Sequence, residues 1–298
     1  MRIYEKVNRL RFNLAVRSIL RTPPVKLQGH EYTLLSMVQH RDVYSYLLAV
    51  KSFCRYAEPS RVVVIADSTL DTMDRALIRR HVPGVELCEA RNFQRDGIPT
   101  GGCWERFCAI ADFVRDSYVI QLDADTVAVQ PLPEVLAAVE DGTAFTLGTE
   151  DDMTIVSCSE IAAWARPRLS ARDHVQLVAE SLLDQIEAST EYRYVRGCAG
   201  FAGYPRASLD FAMVREFSHR MEQVLPDRWS EWGSEQFSSN VLIASMPGAR
   251  VLPHPKYCAP HRRRTGTVFM HFIGYVRYAT PLYARMASQI SKELLTAA

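Results

Sequence analysis

Ser117-Tyr-Val-Ile-Gln-Leu-Asp123-Ala-Asp125-Thr126 joins an apolar run to two carboxylates two residues apart. Tyr118 to Leu122 has the composition and length of a buried strand. In a strand, positions i and i+2 point to the same side. If the strand pattern persists through the pair, Asp123 and Asp125 share one face at its C-terminal end. Two like charges that close are costly unless something positive sits between them. A divalent cation answers that need, and carboxylate oxygens suit Mg²⁺ or Mn²⁺. An acidic turn closing a core strand fits the same ten residues equally well.

The residues around this stretch set its context. Tyr32 to Val38, Arg61 to Ala66 and Val85 to Ala90 read as strands. Helical spacing covers Asp42 to Tyr56, with Asp42 in position to cap it, then Asp71 to His81 and residues 103–115. Tyr118 to Leu122 is therefore the fourth strand in an alternating strand–helix series. That alternation predicts an α/β fold with a mainly parallel sheet covered by helices on both faces. Ligands in such sheets bind beyond the carboxyl ends of the strands, where Asp123 and Asp125 lie.

After Pro131 and Pro133 the pattern loosens. Phe145 to Gly148, Tyr192 to Val195 and Val268 to Phe272 read as strands, the last carrying His271. Residues 172–188 and Ser234 to Ser245 read as helices. Gly197-Cys-Ala-Gly200-Phe-Ala-Gly203 is expected to be a loop where backbone approaches a ligand or another strand. The later half is expected to complete the sheet and one side of a cleft, giving a single domain over 27–298.

Composition bounds the function. The chain has 298 residues, 48% of them hydrophobic and 23% charged, which is ordinary for a globular protein. A net charge of +1 points to no nucleic-acid partner. Seven cysteines form no CxxC pair, which argues against a disulfide framework or a zinc site. They fit a reducing, cytoplasmic compartment. No apolar run reaches the length of a membrane span, and no signal peptide is recognisable.

Residues 1–26 are exceptional: seven basic side chains and one acidic one make the segment +6, leaving −5 for the rest. Ile3, Val7, Leu10 and Leu14 fall on one helical face, and Pro23-Pro24 ends the segment. A basic amphipathic helix can lie on an anionic membrane surface. A helix packed on the body of the protein, or a partner-binding arm, has the same spacing. Peripheral membrane contact through residues 1–24, at the inner face of a membrane, is one expectation.

Four separated segments, taken in order, resemble the GT-A nucleotide-sugar glycosyltransferases, and among them glycosyltransferase family 8, the glycogenin- and galactosyltransferase-like group. Asp42-Val-Tyr44 resembles the D-x-Y whose tyrosine contacts the nucleotide base; a capping Asp42 and a core Tyr44 are the plainer alternative. Arg106, upstream of Leu122-Asp123-Ala-Asp125-Thr126, matches the basic residue that contacts the nucleotide sugar ahead of the family's D-x-D. A surface ion pair with Asp112 or Asp116 is its alternative. Glu235-Gln236, followed by Asn240, resembles the acidic-Gln pair beside the reacting carbon, with Glu in place of the usual Asp. The macrodipole at a helix start favours Glu235 in any case. His271-Phe-Ile-Gly274-Tyr-Val-Arg277 resembles H-x-x-G-x-x-K.

The resemblance implies Asp123, Asp125 and His271 as ligands of Mn²⁺ or Mg²⁺, with Gly274 and Arg277 at the diphosphate. Arg277 replaces Lys there, and Tyr278-Ala279 stands where the family has Pro-Trp. Cys198-Ala-Gly200 stands where the family often has Asn-x-Gly, so Gly200 keeps the match while the Asn contact is missing. The implied fold is GT-A, Rossmann-like, with a mixed C-terminal part. The implied activity is retaining transfer from a nucleotide sugar, a UDP-sugar by analogy, to a saccharide or lipid-linked acceptor.

Asp151 and Asp152 are further candidates for sugar contacts, or a solvated acidic loop. His261-Arg-Arg-Arg264 is either a basic loop meeting diphosphate or an anionic acceptor, or a solvated charge run. Two rival functions stay open on sequence alone. One is a haloacid-dehalogenase-type phosphatase, in which Asp123 of D-x-D-x-T is the nucleophile. The other is a protein that binds nucleotide sugars and transfers nothing.

Overall fold

The computed structural model describes residues 3–150, 153–170, 172–274 and 276–296. Asp151 and Asp152 lie outside the described residues. The strands are β1 (His30–Val38), β2 (Pro59–Ala66), β3 (Glu86–Glu89), β4 (Tyr118–Leu122), β5 (Thr126–Ala128), β6 (Phe145–Gly148), β7 (Val156–Ser157), β8 (Arg193–Tyr194), β9 (Gly197–Tyr204), β10 (Arg250–Val251), β11 (Tyr257–Cys258) and β12 (Phe269–His271). The α-helices are α1 (Ile3–Ala15), α2 (Val43–Cys54), α3 (Thr72–His81), α4 (Trp104–Phe113), α5 (Pro133–Asp141), α6 (Cys158–Ala165), α7 (Val175–Leu182), α8 (Phe211–Val224), α9 (Ser234–Ala244) and α10 (Leu282–Thr296).

A seven-stranded sheet has the order β10-β6-β9-β4-β1-β2-β3. The pairs β1–β2, β2–β3 and β10–β6 are parallel, and β6–β9 is antiparallel. Every residue of β4 is buried, Gln121 included, as befits a largely apolar strand covered on both faces. The chain divides into two compact units: 1–89, 120–136 and 253–298 form the first, and 90–119 with 137–252 the second.

In the first unit β1 runs alongside β2 with Val38 opposite Ala66. Helix α2 is buried along nearly its whole length. Asp71 and Asp74 form a capping box at the start of α3, which satisfies two orphan helix donors. A small sheet of order β11-β12-β5 sets His271 opposite Thr126 in antiparallel register. The N-terminal segment is tied down at Lys51, whose buried ammonium donates to Thr22 O, Thr22 Oγ1 and Pro23 O at 3.2, 2.8 and 2.6 Å. Burial lowers its pKa to about 8.

In the second unit the glycine-rich stretch departs from the loop expectation. Gly197 to Tyr204 is strand β9, buried at every position. The half of the expectation that concerned close approach holds: a Cβ on Gly197 would come within 2.6 Å of Thr146 Oγ1 and 2.8 Å of Asn240 Oδ1. At Gly203 a Cβ would overlap the Phe145 ring and the Tyr118 hydroxyl. Glycine is needed at 197 and 203 because neighbouring side chains stand where a Cβ would go. Gly203→Ala is therefore expected to lower unfolding stability by about 1–3 kcal/mol, as overpacked cores do, measured by urea denaturation. An unchanged midpoint would show that Phe145 and Tyr118 yield without cost.

Two other expectations shift. The helix predicted over 172–188 is only Val175–Leu182, followed by a 3₁₀ turn at Leu183–Gln185. Asp42 holds the cap position of α2, but its side chain makes no capping hydrogen bond.

Candidate functional site

Strand β4 stops at Leu122, and Asp123-Ala124-Asp125 forms a turn into β5. The two carboxylates are thus brought together by a turn, and not by a shared strand face. Thr126 Oγ1 donates to Asp123 O at 2.9 Å, and Phe272 N, just past β12, to Asp125 O at 2.8 Å, which holds the turn in place. The register that sets His271 opposite Thr126 carries its imidazole to the pair. His271 Nε2 lies 3.1 Å from Asp125 Oδ1 and 3.7 Å from Asp123 Oδ2. One donor atom from each of Asp123, Asp125 and His271 lies within 4.8 Å of the others. Ligands bound at about 2.1 Å in an octahedral shell sit about 3 Å apart in cis positions. His271 Nε2 stands near that spacing from Asp125 Oδ1, and two hard carboxylates with one imidazole are a donor set that suits Mn²⁺ or Mg²⁺.

Arg277 closes the cluster from the other side. Its Nη2 donates to Asp125 Oδ2, and its Nη1 lies 3.2 Å from Asp42 Oδ1. Asp42 Oδ2 accepts from Gln39 Nε2 at 2.7 Å. Asp42 is a link in this chain of charges, which explains why it leaves α2 uncapped. Burial alone would raise the Asp125 pKa, but His271 and Arg277 outweigh it and hold the carboxyl at about 2. The Arg277 guanidinium is desolvated, yet Asp125 and Asp42 push its pKa up.

Gly274 is exposed, with nothing within 4 Å of where a Cβ would stand. Open space there leaves the backbone approachable. Tyr44, on the first turn of α2, is also exposed, so the core-packing alternative for its ring does not hold. His261 to Arg264 are exposed.

A second group of sequence-predicted residues meets in the other unit. Arg106 is not at the surface. Its Nη2 sits 3.1 and 3.3 Å from the two oxygens of Glu235, with side chains 6% and 3% exposed. Asp112 pairs instead with Arg95. Helices α4 and α9 reach each other by their first turns, where Trp104 Nε1 donates to Ser234 Oγ at 3.0 Å. Both starts need left-handed backbone: Gly101, Gly102 and Cys103 have φ of 77°, 55° and 76°, and Gly233 has 109°. Glycine fits that region without penalty; Cys103 does not.

Gln236 is oriented by its amide. Its Nε2 donates to Gln176 Oε1 at 2.9 Å, and its Oε1 accepts from Ala199 N at 3.4 Å. The latter contact comes from the residue before Gly200 on β9. Gln176 leads on to a buried set: its Nε2 reaches Glu180 Oε1 and Tyr194 Oη at 3.2 and 3.1 Å. Glu180 also accepts from Tyr194 at 2.6 Å and from Arg196 at 2.9 Å. Asn240 Nδ2 donates to Gly197 O at 3.0 Å. The supporting residues Gln176, Glu180, Tyr194 and Arg196 were not singled out by sequence. Gln176 and Glu180 are an i, i+4 pair on α7, but nothing local says that α7 faces Gln236.

The structure thus collects the predicted residues into two groups. Asp42, Asp123, Asp125, His271 and Arg277 make one, in the first unit. Arg106, Glu235 and Gln236 make the other, in the second. A further cluster, His40 with Asp71 and Asp74, is accounted for by the capping box and by the 2.7 Å contact of His40 Nδ1 with Asp74.

No protein-family model matches the chain, and no curated protein matches it in sequence. Solved structures do match. An active-site mutant of LgtC superposes with a TM-score of 0.52 at 11% identity, over 88% of this chain and 95% of its own. The glycosyltransferase GlyE of Streptococcus pneumoniae TIGR4 superposes at 0.50 and 13% identity, over 90% of this chain and 64% of its own. The bifunctional glycosyltransferase WbbM gives 0.46 at 15% identity over 87% of this chain, which spans 44% of WbbM. At such identities the likeness is one of fold, and the chain has the GT-A glycosyltransferase fold.

Proposed function

We propose that this protein is a metal-dependent glycosyltransferase, similar to family 8, that moves a sugar from a nucleotide-sugar donor to a saccharide or lipid-linked acceptor. The observation that carries this reading is the Asp123, Asp125 and His271 cluster at the carboxyl end of β4, in a GT-A fold. Residues 27–298 serve as the catalytic body in this reading. Asp123, Asp125 and His271 hold Mn²⁺ or Mg²⁺. Such an ion supplies charge stabilisation to a departing nucleoside diphosphate.

The chain's own residues do the rest. Arg277 offers a planar fork for phosphate oxygens, as the Lys of the family offers a point charge. Its present contacts with Asp125 and Asp42 keep it aimed into the acidic cluster. Gly274 leaves room for phosphate beside the backbone, and Tyr44 has an open ring face for a base, uracil by analogy. Arg106 and Glu235 neutralise each other in a dry site, so they are held without reorganisation when donor binds. Gln236, with its amide fixed by Gln176 and Ala199, stands nearest the reacting carbon in the resemblance, and Gly200 lies on the adjoining strand. Retention of configuration follows from the family likeness.

UDP with Mn²⁺ is expected to stabilise the protein against heat by about 2.7 kcal/mol at a hundredfold excess over Kd, where UDP or Mn²⁺ alone gives little. No metal-dependent shift would remove the main support. Turnover of a generic phosphomonoester that Asp123→Asn abolishes would favour the phosphatase. A metal-dependent UDP shift with no hydrolysis of any nucleotide sugar would favour a non-catalytic binder.

A further inference from the structure

Helix α1 packs inward through Asn8 and Phe12 alone, and its aliphatic side faces out. Asn8 and Phe12 are its buried residues. Asn8 Nδ2 donates to Tyr278 O at 3.0 Å, and Phe12 stacks on Tyr283 of α10 with ring centroids 3.9 Å apart. Ile3, Val7, Leu10 and Leu14 are 83%, 40%, 62% and 71% exposed. At 3.6 residues per turn they form one continuous ridge. A helix that covers a globular body turns such a ridge inward. This one has it outside, flanked by exposed Lys6 and Arg11, with Tyr4 also exposed.

A groove of about 600 Å³ runs between α1 and α10 beside the ridge, and its cations are Arg11, Arg285 and Lys292. The acid that α10 carries next to Lys292, Glu293, is engaged by Arg55 and Gln289. The groove therefore presents positive charge over an apolar floor that includes Ala15 and Ala284.

We propose that the α1–α10 face docks on an anionic membrane, with the Ile3-Val7-Leu10-Leu14 ridge among the acyl chains and Arg11, Arg285 and Lys292 on acidic headgroups. The charge of the face selects this occupant. A second copy would bring two segments of +6 together, whereas an anionic leaflet attracts each cation. No helix among the described residues is long and apolar enough to cross a membrane, so the contact is interfacial. The inference stands apart from the proposed transfer reaction, because lipid binding is measured without turnover.

The test is co-sedimentation of the full chain with vesicles of phosphatidylcholine, with and without phosphatidylglycerol. Binding is expected only to the phosphatidylglycerol vesicles, and to fall as salt rises. Leu10→Glu with Leu14→Glu, and separately Arg11→Glu with Lys292→Glu, are each expected to weaken it at least about tenfold. All four side chains are exposed, so the fold should persist, checked by near-ultraviolet circular dichroism. Point substitutions are preferable to deleting residues 1–24, which would uncover Tyr283. Equal binding to both vesicle types, or binding indifferent to both pairs, overturns the proposal. So does a dimer in sedimentation velocity that the Leu10/Leu14 pair abolishes while no vesicle is bound.

Discussion

Asp125→Asn is expected to abolish metal-dependent nucleotide binding and to lower sugar transfer on the order of 10²–10⁴-fold, the loss that several kcal/mol of charge stabilisation represents. Asp125 is the acid on which the site turns. One oxygen faces His271 at 3.1 Å and the other takes the Arg277 guanidinium. Asparagine keeps the shape but removes the anion that positions both. Asp123 is more exposed and stands farther from His271, at 3.7 Å, so Asp123→Asn should cost less binding. A pH series separates the charge from the shape. The Asp125 pKa is held down at about 2, so its contribution to stability is present above the ordinary carboxylate range and is lost as pH falls toward 2. The asparagine variant should lose less stability than the parent over that acid limb. If it still shows a UDP shift that depends on Mn²⁺, Asp125 does not hold the ion.

The site was legible where its signal was local in type and spacing. Tyr118 to Leu122 is buried on both faces and so is apolar but for Gln121, which is why the strand and its abrupt acidic end could be read. His271 could be tied to the pair through its spacing to Gly274 and Arg277, and antiparallel pairing with β5 supplies the physical reason. What could not be read depends on distant packing. A run of Gly and Ala has loop composition, yet β9 is a buried strand, because Phe145, Tyr118 and Asn240 leave room for nothing larger. Asp42 sits where a cap belongs, but Arg277, 235 residues away, claims its carboxylate. Period alone found the apolar stripe of α1 without saying which side it faced. Phe12 and Asn8 decide that, through partners on α10 and just before it.

Breaking the Arg106–Glu235 pair is expected to cost about 3–5 kcal/mol of stability, because either single truncation takes this partner from a charge that stays buried. Arg106→Met and Glu235→Leu should each show this loss in urea denaturation. Combined, they should recover part of it, since each removes the charge that the other would leave without this partner. Recovery in the double variant measures the coupling directly. Activity should not follow stability. If Glu235 serves only to neutralise Arg106, the double variant regains transfer along with its fold. If the two groups meet the donor, the double variant recovers its fold and remains inactive, while any thermal shift by UDP with Mn²⁺ persists. Glu235→Gln refines the outcome: it keeps the size and one hydrogen bond to Arg106 but loses the charge. A fall in transfer larger than the fall in UDP affinity would place Glu235 at the reacting sugar. Equal falls would leave it as the residue that holds Arg106 in place.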